Sequence, residues 1–213
     1  MSNVLAVIPV LNEEKTIGLV LDTLIRSKLF SQIICVNDGS TDNSLEIIKK
    51  YLGKVTVINL RKNMGKGYAL AEGVSRSDCD LVLFLDADFL NLNQSHLTTL
   101  IEPVKNGEAD AVIGLTSDSF FSRKIFSRLS GQRVFRRKDL MTFLPRMKES
   151  RYGVEILLNK AYKNKKVEKV LLKDLRHLVK TQKRSSLKAV KEYLVEGKEI
   201  AVELAKDKKI ITS

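Results

Sequence analysis

Within the first 90 residues, apolar runs that show no alternation break off four times at a cluster of polar and acidic side chains. The runs are Val4 to Val10, Gln32 to Val36, Val55 to Leu60 and Leu81 to Leu85. Strands apolar on both faces must be covered on both, so they belong to a mostly parallel sheet whose connections are helices. The intervening segments have the required spacing. Asn12 to Arg26 predicts a helix, with Ile17, Val20, Leu21, Leu24 and Ile25 on one face and Glu13-Glu14 where the helix dipole favours acids. A second runs through Leu45, Ile47, Ile48 and Leu52 to Gly53, a third spans Lys66 to Ser75, and a fourth spans His96 to Lys105. Ala111 to Leu115 adds a fifth strand. Between Phe120 and Lys148 the pattern degrades and gives no assignment. Beyond it, Gly153 to Lys163 reads as helix, Val167 to Leu172 as an edge or antiparallel strand, and Ser186 to Lys206 as a long amphipathic basic helix.

The 213 residues suffice for one large domain, and no repeat, low-complexity tract or Pro/Ser-rich linker divides them. Charge does divide them. Residues 1–118 carry 11 basic and 15 acidic side chains, 119–159 carry 10 and 3, and 160–213 carry 16 and 7. The basic later part suits an anionic partner (a phosphorylated substrate, an anionic lipid surface or nucleic acid) or is a solvated face. Cys35 and Cys79 sit in strand-like runs without metal-ligand spacing, which predicts buried thiols in a reducing, cytoplasmic compartment. No stretch reaches the roughly 18 uninterrupted apolar residues of a membrane span, and the first residues lack a signal-peptide pattern.

In an open α/β sheet, ligands collect outside the carboxyl ends of the strands. There lie Pro9 to Glu14, Asn37 to Asp42, Arg61 to Gly67 and Asp86-Ala87-Asp88. The first two clusters can be helix caps. Gly65-Lys66-Gly67 can be a tight turn, and it satisfies neither common phosphate-loop pattern. Asp86 and Asp88 call for more: neighbouring carboxylates repel unless a cation or donor stands between them, and oxygen donors of this kind suit Mg²⁺ or Mn²⁺.

Together, Pro9-x-Leu11-Asn12-Glu13-Glu14, Asn37-Asp38-Gly39-Ser40-Thr41-Asp42, Asn63-x-Gly65-Lys66-Gly67 and Asp86-x-Asp88 resemble the family 2 glycosyltransferases, over about the first 115 residues. Ser130-Gly131-Gln132-Arg133 is similar to a segment of the family's polyprenyl-phosphate sugar transferases. The resemblance implies a GT-A, Rossmann-like α/β fold, with helices on both faces of a mostly parallel sheet. Residues 1–118 would form the nucleotide-sugar half and 119–180 the acceptor side of the same domain, with 181–213 a basic C-terminal helix. It further implies transfer of a sugar from a UDP- or GDP-linked donor. Pro9, Asn12, Glu13, Asp38 and Gly39 would lie at the nucleoside, with Asp38 gripping the base. Lys66 would lie near the phosphates, Asp86 would face ribose and metal, and Asp88 would ligate Mg²⁺ or Mn²⁺. Arg133 would add a second cation, and Glu155 and Asp118 are candidate bases. His177 falls where some related enzymes place a metal-binding histidine, although a lone histidine is more often structural.

The departures also matter. Phe89-Leu90 replaces the Leu-Gln that often follows the acidic motif, and no clear Glu-Asp base pair is present. A phosphate monoester is already an anion at neutral pH and needs no strong base, which favours a phosphate acceptor, and the resemblance suggests polyprenyl phosphate. The seven basic residues between Arg123 and Lys138, with no acid among them, suit a lipid phosphate at the inner membrane face. The alternatives are a soluble acceptor such as phosphoglycerate, or a non-catalytic binder of anionic ligands or lipid on a degenerate scaffold. Nucleic acid is excluded by the absence of Trp, of an RNP-like motif and of a helix-turn-helix. A homodimer is left open.

Overall fold

The computed structural model describes residues 2–116, 130–151 and 153–178. Seven strands form one sheet in the order β3-β2-β1-β4-β6-β5-β7, comprising β1 (Val4–Val10), β2 (Gln32–Asp38), β3 (Thr56–Leu60), β4 (Leu81–Phe84), β5 (Ala111–Leu115), β6 (Arg133–Arg136) and β7 (Val167–Leu171). The four apolar runs pair in parallel, with Val7 opposite Ile34 on one side and Phe84 on the other. Only β6 runs against its neighbours, Leu83 facing Val134 and Val112 facing the same residue from β5. β7 is an edge strand as expected, but parallel to β5 rather than antiparallel.

Helices α1 (Ile17–Ser27), α2 (Ser44–Lys49) and α4 (Gln94–Lys105) cover one face. Their Val20, Leu21, Leu24, Ile48, Leu97 and Ile101 pack on Ala6, Ile8, Cys35 and Leu83 of the strands. The alternate strand residues Leu5, Val7, Ile34, Val82, Phe84 and Phe135 meet α3 (Lys66–Ser75), α5 (Arg137–Leu140), α6 (Leu144–Ser150) and α7 (Val154–Ala161). A 3₁₀ turn, Met141–Phe143, links α5 to α6. Successive residues of the inner strands β1, β2 and β4 thus meet helices on one face or the other, which is why those runs carry no polar alternation.

Three local expectations change. The first helix starts at Ile17, not Asn12, because Asn12 adopts φ 57° and residues 12–16 form a loop. Cys35 is fully buried in β2, whereas Cys79 lies outside any strand, half-buried beside Ser31. The unassigned basic stretch contains β6, α5 and α6 from residue 133 onward. Arg123, Lys124, Arg128, Asp118 and the helix expected over 186–206 lie outside the described residues.

Candidate active site

The carboxyl ends of β1 and β2 are stitched by the polar residues that follow them. Asn12 N–H donates to Ser40 Oγ (3.0 Å), Glu13 N–H to Ser44 Oγ (2.7 Å) and Glu14 N–H to Asp42 Oδ2 (3.2 Å). In return, Thr41 N–H donates to Asn12 Oδ1 (2.7 Å) and Asn43 N–H to Glu14 Oε2 (3.0 Å). Thr16 and Asn43, next to the helix starts, make no side-chain cap bond, whereas Asp42 Oδ1 accepts from Ser44 N–H (2.9 Å), the first residue of α2, so the second cluster both bonds that helix start and joins the two loops. Pro9 is half-buried in β1 opposite Val36.

Asp38 closes β2 at 3% exposure, with Oδ1 accepting from Met64 N–H (2.6 Å) and Oδ2 from Gly65 N–H (2.9 Å). Burial raises its pKa, opposed by those two N–H groups and by Arg151. Its carboxylate therefore shapes the loop that delivers Lys66, and both of its oxygens are occupied by that loop. Gly39 has φ 70°, and a Cβ there would stand 2.6 Å from the backbone of Lys62 and Asn63, so this turn admits only glycine.

Lys66 opens α3 and reaches two carboxylates, Asp86 Oδ1 and Glu155 Oε1, each at 2.7 Å. Burial works against its ammonium form, yet Asp86 and Glu155 outweigh burial and hold its pKa above the ordinary lysine value. Gln132 Nε2 donates to Asp86 Oδ2 (2.7 Å), and Ser130 Oγ–H faces both Gln132 Oε1 and the Gly114 carbonyl. The backbone of Gly131 lies against this group: a Cβ there would come within 2.5 Å of Asp86 Oδ1 and of Lys66 Nζ. Arg133 stands beneath at 2% exposure, with Nε donating to Ser130 O (2.7 Å) and Nη1 to Asn159 Oδ1 (2.8 Å). Burial draws its pKa down to about 10, opposed by Glu155 and Asp86, so it remains a cation at neutral pH. Arg133 is thus a buried cation acting on the acidic pair, and Glu155, the candidate base, is paired with Lys66.

Asp88 makes a separate arrangement. His177 Nδ1 lies 3.0 Å from Asp88 Oδ1, its Nε2 lies 3.4 Å from Thr116 Oγ1, and its ring packs on Phe89 at 4.5 Å between centroids. The oxygens of Asp86 face Lys66 and Gln132, while Asp88 faces His177. Among the described residues no three His, Cys, Asp or Glu side chains form a metal cluster. One carboxylate and one imidazole fit a borderline ion such as Mn²⁺ better than Mg²⁺, which prefers oxygen alone, provided a substrate supplies further oxygens.

Gln132 bonds Asp86, and Asn91 and His96 bond the segment before His177; the sequence motifs assign a role to none of the three. Asn93-x-x-His96 has the spacing of a capping box, and His96 Nδ1 does accept from Asn93 N–H (3.3 Å), so that signal was available for His96.

The family model described as Glycosyl transferase family 2 matches residues 5–171. An uncharacterized glycosyltransferase of Escherichia coli K12, YaiP, is 39% identical over 116 residues, covering 53% of this chain and 29% of its own length. A dodecaprenyl-phosphate galacturonate synthase of Rhizobium johnstonii is 26% identical over 130 residues, covering 56% of this chain and 38% of its own. The chain thus spans well under half the length of these curated relatives. The crystal structure of glucosyl-3-phosphoglycerate synthase from Mycobacterium tuberculosis, in complex with Mn²⁺, UDP and glucosyl-3-phosphoglycerate, superposes with a TM-score of 0.74 at 22% identity. That superposition covers 96% of this chain and 79% of the neighbour, and the shared architecture is the GT-A fold.

Proposed function

The chain belongs to glycosyl transferase family 2, and from that premise we propose that it moves a sugar from a nucleoside diphosphate donor to an acceptor that bears a phosphate. The observation that carries the reading is the juxtaposition, past the end of β4, of Asp86 with Lys66 and Glu155 and of Asp88 with His177. UDP is the first nucleotide to test and GDP the second, because the solved neighbour binds UDP.

Asp88 and His177 would hold a divalent ion, Mn²⁺ by the chemistry of the pair, which when bound neutralises charge on the departing diphosphate. The chain's own residues do the rest. Lys66 holds Asp86 and Glu155 in place, and Gln132 fixes the other oxygen of Asp86, so the acidic rim is set before a donor arrives. With a phosphate oxygen as nucleophile, a bond forms from that oxygen to the anomeric carbon. The carbon–diphosphate bond breaks, and its electron pair leaves on the nucleotide. No proton has to move, which agrees with Glu155 being committed to Lys66.

Polyprenyl phosphate is the acceptor we favour. A dolichyl-phosphate β-glucosyltransferase of Trichomonas vaginalis, 38% identical over 94 residues, and the Rhizobium enzyme both bear polyprenyl-phosphate names. The chain would then work at the cytoplasmic membrane face; among the described residues no helix is long and apolar enough to cross the bilayer. A soluble phosphorylated acceptor is the second reading, favoured by the neighbour's complex with glucosyl-3-phosphoglycerate. Asp88→Asn is expected to abolish both sugar transfer and Mn²⁺-dependent UDP or GDP binding while the circular dichroism spectrum is retained. Full transfer by that variant refutes the metal role, and turnover of phosphoglycerate without polyprenyl phosphate turnover selects the soluble acceptor.

A further inference from the structure

His177 does not come from a strand of the sheet. It is carried on the segment that follows β7; residues 88–96 supply several of the hydrogen bonds that fix this segment near Asp88, and Thr116 Oγ1 faces His177 Nε2 from the end of β5. Leu178 N–H donates to Asp88 O (2.8 Å) and Leu90 N–H to Arg176 O (3.0 Å), with Phe89 and His177 forming an isolated antiparallel bridge. A bridge this short has little cooperativity of its own.

What extends it is a side chain. Asn91 Oδ1 accepts from Arg176 N–H and Asn91 Nδ2 donates to Asp174 O, both at 2.8 Å. The amide of Asn91 thus does what a further backbone peptide would do, supplying one acceptor and one donor to the facing segment. It does so where Asp174 turns the chain at φ 60°. One step farther along, buried His96 completes the clasp. Its Nδ1 accepts from Asn93 N–H, which puts the proton on Nε2, and Nε2 faces Lys173 O at 2.8 Å. Leu175, 3% exposed, anchors the turn between the two contacts.

We propose that Asn91, backed by His96, is a positioning residue that sets His177 against Asp88 and thereby tunes divalent-metal binding. The proposal rests on the reading of Asp88 and His177 as metal ligands. Asn91 touches neither side chain and acts only through the backbone of residues 174–176. Orienting groups outside a ligand set typically change metal affinity by roughly 10- to 100-fold, and a contact made only through the backbone of residues 174–176 belongs at the lower end.

Two variants test it. Asn91→Leu removes both hydrogen bonds, whereas Asn91→Asp keeps the acceptor for Arg176 N–H and loses the donor to Asp174 O. Free Mn²⁺ is followed by its paramagnetic resonance signal in the presence of UDP, and exchange of the Leu90 and Leu178 amide protons is followed by NMR. Asn91→Leu is expected to exchange these two amides faster and to weaken Mn²⁺ binding about tenfold, with Asn91→Asp falling between it and the unaltered protein. Metal-free UDP binding is expected to stay unchanged. In a His177→Ala background, Asn91→Leu is expected to weaken Mn²⁺ binding no further. Unchanged Mn²⁺ affinity in Asn91→Leu, or a full additional loss on top of His177→Ala, overturns the proposal while leaving the donor reading intact. Failure of the unaltered protein to bind Mn²⁺ with UDP overturns both.

Discussion

Removing the ammonium from the Lys66 triad gives the most direct test of how the rim is held together. In Lys66→Met the shape of the side chain is roughly kept, but Asp86 and Glu155 lose the cation that stands 2.7 Å from each. Breaking a buried ion pair by deleting one partner costs about 3–5 kcal/mol. The side chains of Lys66 and Asp86 are 20% and 25% exposed, and Arg133 still acts on both acids, so the low end applies, about 3 kcal/mol. For a chain of this size that corresponds to a fall in Tm of about 6–12 °C. The pH dependence follows from the raised lysine pKa. The triad's contribution is fully present below the unfolded lysine value of roughly 10.4 and is lost only as pH rises through the still higher folded value. The gap between variant and unaltered protein is therefore constant from about pH 7 to 9 and closes only in strong alkali. The chain has no Trp, so urea and thermal unfolding are followed by circular dichroism. A further change, Glu155→Leu on top of Lys66→Met, is expected to recover part of the loss, since an apolar replacement of an ion pair is often neutral. Stability of Lys66→Met within about 0.5 kcal/mol of the parent at pH 7.5, the range of ordinary surface changes, refutes the argument.

Gly131→Ala drives a methyl group into Asp86 and Lys66 and is expected to cost about 1–3 kcal/mol and to weaken UDP binding; a variant with native urea midpoint and UDP affinity would show that the contact relaxes freely. Arg133→Met withdraws the donors to Ser130 O and Asn159 Oδ1 and is expected to cost about 3 kcal/mol in urea unfolding, a midpoint equal to the parent's being the contrary result. Burial pushes the Cys35 thiol up to about 12, so its contribution to stability is complete below the ordinary thiol value and disappears as pH climbs toward that figure. At pH 8 an alkylating reagent should label Cys79 alone in the native protein and both thiols in urea; mass spectrometry showing native labelling of Cys35 contradicts this.

The parallel strands and their order along the chain were legible because their signals are local: each branched apolar run states its own burial, and the helix over Lys66 to Ser75 was legible to the residue. The clusters at the strand ends were legible as a rim, but not the use made of each group. Asn12 looks like a cap because caps and loop-to-loop bonds call on the same short polar side chains, and only the approach of two loops distinguishes them; Asp42 does both. β6 was not legible. Arg133-Val134-Phe135-Arg136 is four residues long with charged ends, and its status as a strand comes from β4 and β5 on either side. The engagement of Glu155 by Lys66 was hidden for the same reason, since it depends on two residues 89 positions apart being brought together by the fold.

The lone reversed strand has a consequence for how the molecule is made. Take β6 away and the sheet falls into two pieces, a four-stranded parallel slab ending at β4 and a two-stranded β5–β7 ribbon, each with a raw edge open to another chain. The stretch that closes this gap is synthesised after both of the edges it must join. Its arrival also brings Gln132 to Asp86 and sets Arg133 under the acids. Ribosome-bound chains that stop short of residue 130 therefore hold Lys66, Asp86 and Asp88 on a slab whose β4 edge is still open, and Glu155 and His177 join the rim only after the sheet is sealed.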